Sequence, residues 1–296
     1  HLYNIGVYDV KLCSMAKLLT TELAEKVATQ CLQFFGGNGF MEDYPLARMF
    51  RGVRVGSIGA GTSAVMRDII AKMVVDDVQY QKAASNEIKK SNIAGSPFTA
   101  EHEMFRASLK DFLKKEVIPF VDEWEKKGEV PRNVYKKFGE MGYFGLNCPE
   151  EFGGTDLDIW YSVILHEELA RINSAGAAVA LGAHYFLAMA HLKGEASQEQ
   201  KQKYLTASIE GDLIGALAIT EPNAGSDVKN IKTTAVLEGD EWVINGGKTF
   251  ITNGVNSDYL VTAVKTDPSK GAKGISMIYV ERNTPGLTAT KLNKLG

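Results

Sequence analysis

Residues 211–258 read GDLIGALAITEPNAGSDVKNIKTTAVLEGDEWVINGGKTFITNGVNSD, and at Gly211 the period of the chain changes. Upstream, apolar residues recur every three or four positions. Downstream they alternate, which predicts strands over 213–219, 230–237, 241–252, 258–265 and 274–281. Gly239-Asp240 is a hairpin signal. Pro285-Gly286 is a turn signal, and the short run after it predicts one more strand.

Moving outward, Val10, Leu12, Met15, Leu18, Leu19, Leu23, Val27, Cys31 and Leu32 lie at helical spacing, and Gly36-Gly37 stop that helix. A second helix follows Thr62 or Ser63, either of which can cap it. Residues 76–97 lose periodicity and end in Gly-Ser-Pro, as a helix tail and linker would. A helix is predicted from Glu101 to about Lys126, and another opened by Pro131 in its first turn. Residues 143–156 read as a loop, and further helices as 157–172, 175–193 and 197–209. Helices, linker, helices and a β segment in that order predict a mainly α protein with a small β domain, not alternating βαβ units.

The 296 residues suffice for about two domains of about 100–200 residues each. A formal charge of −3 gives no basic field for nucleic acid or an anionic membrane. Cys13, Cys31 and Cys148 are odd in number and have no metal-type spacing, so they read as reduced thiols. No apolar run is expected to reach the roughly 18–20 residues of a membrane span. HLYNIGVYDVKL has no signal-peptide pattern and reads as the middle of something rather than a start. His102, His166, His184 and His191 read as structural, and Glu150-Glu151 and Glu167-Glu168 as solvated or capping carboxylates.

Four stretches carry chemistry. Ile219-Thr220-Glu221-Pro222-Asn223-Ala224-Gly225-Ser226-Asp227 lies where a strand becomes a loop, and its amides and hydroxyls can wrap a planar, hydrogen-bonding ring edge. Phe250-Ile251-Thr252 ends the next long predicted strand and makes the pair specific. Gln33-Phe34-Phe35-Gly36-Gly37-Asn38-Gly39-Phe40 permits close backbone approach, although a plain glycine cap reads the same way. Val55-Gly56-Ser57-Ile58-Gly59-Ala60-Gly61-Thr62-Ser63-Ala64 contains the spacing of a Rossmann-type dinucleotide fingerprint. That rival requires a second strand after the helix, and polar linker follows instead.

Together, the blocks 211–258 and 31–70 resemble the acyl-CoA dehydrogenases, flavoenzymes that desaturate acyl thioesters. In that family the ITEP…GSD block precedes the GGNGF block; here it follows. The resemblance implies a helical bundle with a β-barrel-like middle domain, permuted and incomplete, with one central segment missing. It implies boundaries at 1–78 (C-terminal-type helices), 79–97 (linker), 98–210 (N-terminal-type helices) and 211–296 (partial β domain). The implied reaction is α,β-dehydrogenation of an acyl-CoA to a trans-2-enoyl-CoA, with FAD as cofactor and electron-transfer flavoprotein as acceptor.

Carried over by position, Leu217, Ile219, Thr220, Gly225, Ser226, Phe250, Ile251 and Thr252 would bind the flavin. So would Gln33, Phe34, Phe35, Gly36, Gly37, Thr62 and Ser63, the glycine loop touching the cofactor of a neighbouring subunit in a homo-oligomer, dimer or tetramer. Ser226, Tyr44, Gly59 and Gly61 would line the thioester. Ala60 stands where short- and medium-chain members carry the catalytic glutamate. Its backbone N–H could polarise the thioester carbonyl. Gly-Ala-Gly-Thr-Ser looks like the isovaleryl-CoA branch, whose base comes from a helix within the missing segment. Phe250 takes a position often held by tryptophan; Gly52 and Ala64 replace usual carboxylates, predicting modest destabilisation. A non-catalytic relative that keeps the fold is the alternative. Bacterial cytoplasm or mitochondrial matrix would both fit. Loss of two bundle helices would bare an apolar surface.

Overall fold

A computed structural model describes residues 9–78 and 97–294. Of the predicted linker, only residue 97 falls among them. The α-helices are α1 (Val10–Phe34), α2 (Pro45–Val53), α3 (Ser63–Val74), α4 (Ala100–Glu116), α5 (Val121–Lys127), α6 (Arg132–Glu140), α7 (Ile159–Leu169), α8 (Ala175–Gly182), α9 (Met189–Glu195), α10 (Gln198–Gln200) and α11 (Thr206–Ile209). π-helical turns, Ala183–Ala188 and Lys201–Leu205, join α8 to α9 and α10 to α11. The strands are β1 (Gly215–Ala218), β2 (Thr234–Glu238), β3 (Glu241–Asn245), β4 (Tyr259–Lys265) and β5 (Ile275–Glu281).

Several elements differ from expectation. The helix predicted from Glu101 breaks over Val117–Phe120, because Pro119 has no N–H to donate and disfavours helical geometry at Ile118. Pro131 is the cap of α6, with ψ 144, rather than its first helical residue. The third predicted strand ends at Asn245: Gly246 adopts φ 150, where a Cβ would lie 2.5 Å from the Thr233 hydroxyl. Residues 287–294 form no strand. Helix α2 went unpredicted, although Leu46, Met49, Phe50 and Val53 have helical spacing and Pro45 opens it.

The chain divides into two compact units. The first comprises residues 1–121 and 158–175, where described, and the second residues 122–157 and 176–294. In the first, α1 packs against α2 and α3, and α4 against α7. Thr99 caps α4 in a reciprocal box with His102, whose other ring nitrogen meets Asp158 at 3.2 Å. Glu168, expected on the surface, is buried: Arg106 donates to it at 2.9 Å and to Glu167 at 2.6 Å, so the buried carboxylate is paired. The outer face of α1 leaves Leu12, Leu19, Leu23 and Val27 exposed.

In the second unit β4 is the centre of a mixed five-stranded sheet. It pairs in parallel with β1 (Gly215↔Tyr259), antiparallel with β5, and meets β2 at Thr234↔Lys265. β2 and β3 form the predicted hairpin through Gly239. The run Ala175–Glu195 is, among the described residues, one helix long and apolar enough to cross a bilayer, correcting the expectation that none reaches that length. Leu181, Tyr185, Ala188, Met189 and Leu192 are buried along it, which makes it a core helix of this unit.

His184 sits at the centre of that core, 4.6 Å ring to ring from Phe144 and 5.8 Å from Tyr135. Its Nδ1 accepts from the Gly215 N–H at 3.0 Å, and its Nε2 donates to the Ser208 carbonyl at 3.1 Å. Helix and first strand are thereby joined through one neutral imidazole. Gly215 leaves no choice of side chain, since a Cβ would lie 2.5 Å from the Tyr259 hydroxyl.

Burial holds the His184 pKa down at about 4, against 6.5 ordinarily. The unfolded chain therefore takes the proton first. Stability present above pH 6.5 is lost as pH falls toward 4, by up to about 3 kcal/mol from this group. Urea midpoints measured across that range should fall with pH in the wild type and fall less steeply in His184→Gln.

Candidate functional site

The predicted positions divide between the two units. In the second unit, the loop after β1 and the loop before β4 lie side by side. The Thr249 N–H donates to the Thr220 carbonyl at 2.8 Å. Ile219 packs against Ala224, Ile231 and Ala263, and Ile251 against Ala216, Ala218 and Leu260. Each loop thus sinks one isoleucine into the sheet.

Glu221 and Lys248 join the loops. They are 6% and 9% exposed, 2.7 Å apart. The Glu221 carboxylate also accepts from the backbone N–H groups of Lys232 (2.6 Å) and Thr233 (3.0 Å) and from the Thr233 hydroxyl (2.5 Å). Lys248 donates further to the Ile219 carbonyl at 3.1 Å. Burial alone would raise the Glu221 pKa; Lys248 and the three donors outweigh it and lower the pKa to about 2. Neither residue was among the predicted site positions, although both lie inside the quoted blocks.

Asn253 holds the second loop from behind. Its amide donates to the Ala180 carbonyl at 2.9 Å and accepts from the Tyr135 hydroxyl at 3.2 Å. Arg282 grips the same loop through the carbonyls of Gly254 and Ser257. Phe250 and Asn253 both have positive φ (59° and 63°), a sparsely populated geometry for non-glycine residues. Phe250 is consequently presented outward, 77% exposed. It lies in a loop, not at a strand end as expected. The hydroxyls of Thr220, Ser226 and Thr252 make no hydrogen bond among the described residues, and nothing lies within 4 Å of where a Gly225 Cβ would be. Leu217 is half-buried on β1.

In the first unit, Gln33 and Phe34 end α1, Phe35 caps it, and Gly36 turns the chain at φ 55. Phe34, Phe35, Gly36 and Gly37 are exposed, and the Phe35 ring meets Tyr44 edge-on at 6.3 Å. The residues before Gly59 form α2 and a 3-10 turn rather than a strand, which removes the Rossmann reading. Ala60 has φ 52 and is exposed, and its N–H makes no hydrogen bond among the described residues. Lys17 donates to the neighbouring Gly61 carbonyl at 2.5 Å, pinning the loop to α1. Thr62 caps α3 through the Val65 N–H, and the Ser63 hydroxyl is buried with no partner among the described residues. Beside Ala60 lies a cleft of about 320 Å³, lined also by Val10, Cys13, Lys17 and Met66.

Three family models match this chain. The acyl-CoA dehydrogenase C-terminal domain matches residues 4–75, the N-terminal domain 99–212 and the middle domain 216–296. The mitochondrial long-chain specific acyl-CoA dehydrogenase of Rattus norvegicus is 38% identical over 202 residues, 67% of this chain and 46% of that protein. The crystal structure of an acyl-CoA dehydrogenase from Geobacillus kaustophilus is 45% identical with a TM-score of 0.65, covering 68% of this chain and 53% of that one. A glutaryl-CoA dehydrogenase from Mycobacterium smegmatis, solved in complex with FADH2, is 27% identical with a TM-score of 0.61, covering 66% of this chain and 49% of that one. The chain thus spans about half the length of the relatives it matches. It belongs to the acyl-CoA dehydrogenase family, with its segments in the order C-terminal, N-terminal, middle.

Proposed function

We propose that this chain supplies the flavin- and thioester-binding parts of an FAD-dependent acyl-CoA dehydrogenase that passes electrons to an electron-transfer flavoprotein. The observation that carries the reading is the joined loop pair of the second unit. Glu221 and Lys248 clamp it internally, its Thr220, Ser226 and Thr252 hydroxyls have no hydrogen bond among the described residues, and the Phe250 ring is exposed. That donor set suits FAD: Thr220 and Thr252 would hydrogen-bond the ring edge, and Phe250 would pack near the ring. In the first unit, the orphaned Ser63 hydroxyl is a further donor in want of an acceptor. When bound, FAD supplies a two-electron acceptor.

The chain's own residues do the rest. Ser226 would border the pantetheine arm, and the N–H of Ala60 would donate to the thioester carbonyl. That donation stabilises negative charge and eases loss of the α-proton. The methyl of Ala60 accepts no proton, so position 60 provides polarisation and not the base. A non-catalytic relative that still binds flavin is the second reading, and this methyl is the observation that favours it.

Visible absorption of the purified chain after incubation with FAD, before and after anaerobic addition of isovaleryl-CoA, separates these readings. Retained flavin bands that bleach support the enzyme. Retained bands that persist support the second reading. A chain that retains no flavin refutes both.

Four variants test the parts. Thr220→Val and Thr252→Val should each cost about 1 kcal/mol of flavin binding, roughly fivefold in Kd by fluorescence titration. Glu221→Gln strands the buried Lys248 ammonium and should cost about 3–5 kcal/mol in urea denaturation, with flavin retention falling in parallel. Adding Lys248→Met to that variant should recover part of the loss.

A further inference from the structure

The turn that carries Ala60 is tied down locally at its two ends. On entry the Gly59 N–H donates to the Val55 carbonyl at 2.8 Å, and on exit the Thr62 hydroxyl accepts from the Val65 N–H at 3.3 Å. Between those ends, from the Ala60 N–H to the Gly61 carbonyl, one hydrogen bond is made among the described residues: Lys17 donates to the Gly61 carbonyl at 2.5 Å. That bond crosses 44 positions, from the middle of α1. Ala60 meanwhile holds φ 52, where an alanine Cβ crowds the following carbonyl oxygen. Local ties at the ends do not fix the peptide planes between them, so the strained residue depends on the bond from α1. Lys17 also lines the cleft beside Ala60 and forms no ion pair among the described residues. Asp9, the other charged residue on that cleft, is engaged in capping α1 through the Leu12 N–H at 2.9 Å.

We propose that Lys17 is a positioning residue for dehydrogenation of the acyl thioester. By holding the Gly61 carbonyl it keeps Ala60 in the left-handed conformation that leaves the Ala60 N–H free. Its uncompensated charge adds to the field that favours negative charge on the thioester carbonyl, and a donor set fixed in advance needs no reorganisation when that charge develops. Lysine suits the task because a long stem carries a compact charge with three donors from the helix to the turn. The proposal rests on the reading that the Ala60 N–H meets the thioester carbonyl.

Two readouts on the full chain test it, with Lys17→Met removing donor and charge and Lys17→Arg keeping both. The first needs no ligand. At positive φ the amide and α protons of one residue lie close together, so the Ala60 NH–Hα Overhauser effect should be strong in the wild type and in Lys17→Arg, and weak in Lys17→Met. The second uses para-dimethylaminocinnamoyl-CoA, an enoyl thioester whose absorption moves to longer wavelength as its carbonyl is polarised. The wild type and Lys17→Arg should shift the bound probe to the red, and Lys17→Met should bind it with most of that shift lost. Lys17→Ala carries the same comparison if Lys17→Met does not fold. A wild-type shift that survives Lys17→Met, or is lost equally in Lys17→Arg, overturns this proposal alone. So does a strong Ala60 Overhauser effect in Lys17→Met. A wild-type chain that leaves the probe's spectrum unchanged overturns the thioester reading of Ala60, and this proposal with it.

Discussion

The Glu221–Lys248 pair is the constraint on which the paired loops of the second unit depend. The two residues are 27 positions apart and belong to loops with no regular structure. Taking both charges out of water is costly, and the geometry repays it only because every strong donor nearby points at the carboxylate. Lys232, Thr233 and Lys248 all converge there. Loops built this way hold their shape without ligand. A cofactor meeting them would spend little of its binding energy on ordering the protein.

The first unit reaches a similar end by other means. Its glycine-rich turn holds a non-glycine residue, Ala60, in the left-handed region, and a lysine from α1 fixes the next carbonyl. Strain of this kind persists only where surroundings over-determine it, and it commonly marks a site of function. Here it exposes a backbone donor. The chemistry available at position 60 is that of a dipole, insensitive to pH, where a glutamate would titrate.

How much of this was legible depends on distance along the chain. Helical and alternating periods are local, and they separated the α part from the sheet. The Thr62 cap and the Gly239 hairpin were legible because each is a turn of a few residues. Pro119 marked a break that the apolar pattern around it concealed. Gly246-Gly247 marked the end of β3 in the same way. The burial of Glu168, by contrast, depends on Arg106 some 62 residues away, and no local pattern signals it. Glu221 and Lys248 were visible as residues but not as partners, since pairing is a property of the folded sheet.

The chain passes between the units after Val121, Leu157 and Ala175, so neither unit is made from one continuous stretch. Helices α1, α2 and α3 pack on one another within the first 75 residues, yet Gly52 on α2 also approaches Ala175 so closely that a Cβ there would lie 2.7 Å from the alanine methyl. Local helices can form early, but neither unit is complete until stretches far apart in the sequence have met. Closing such long loops is entropically costly, so the finishing of both units, rather than the making of their helices, sets the pace of folding.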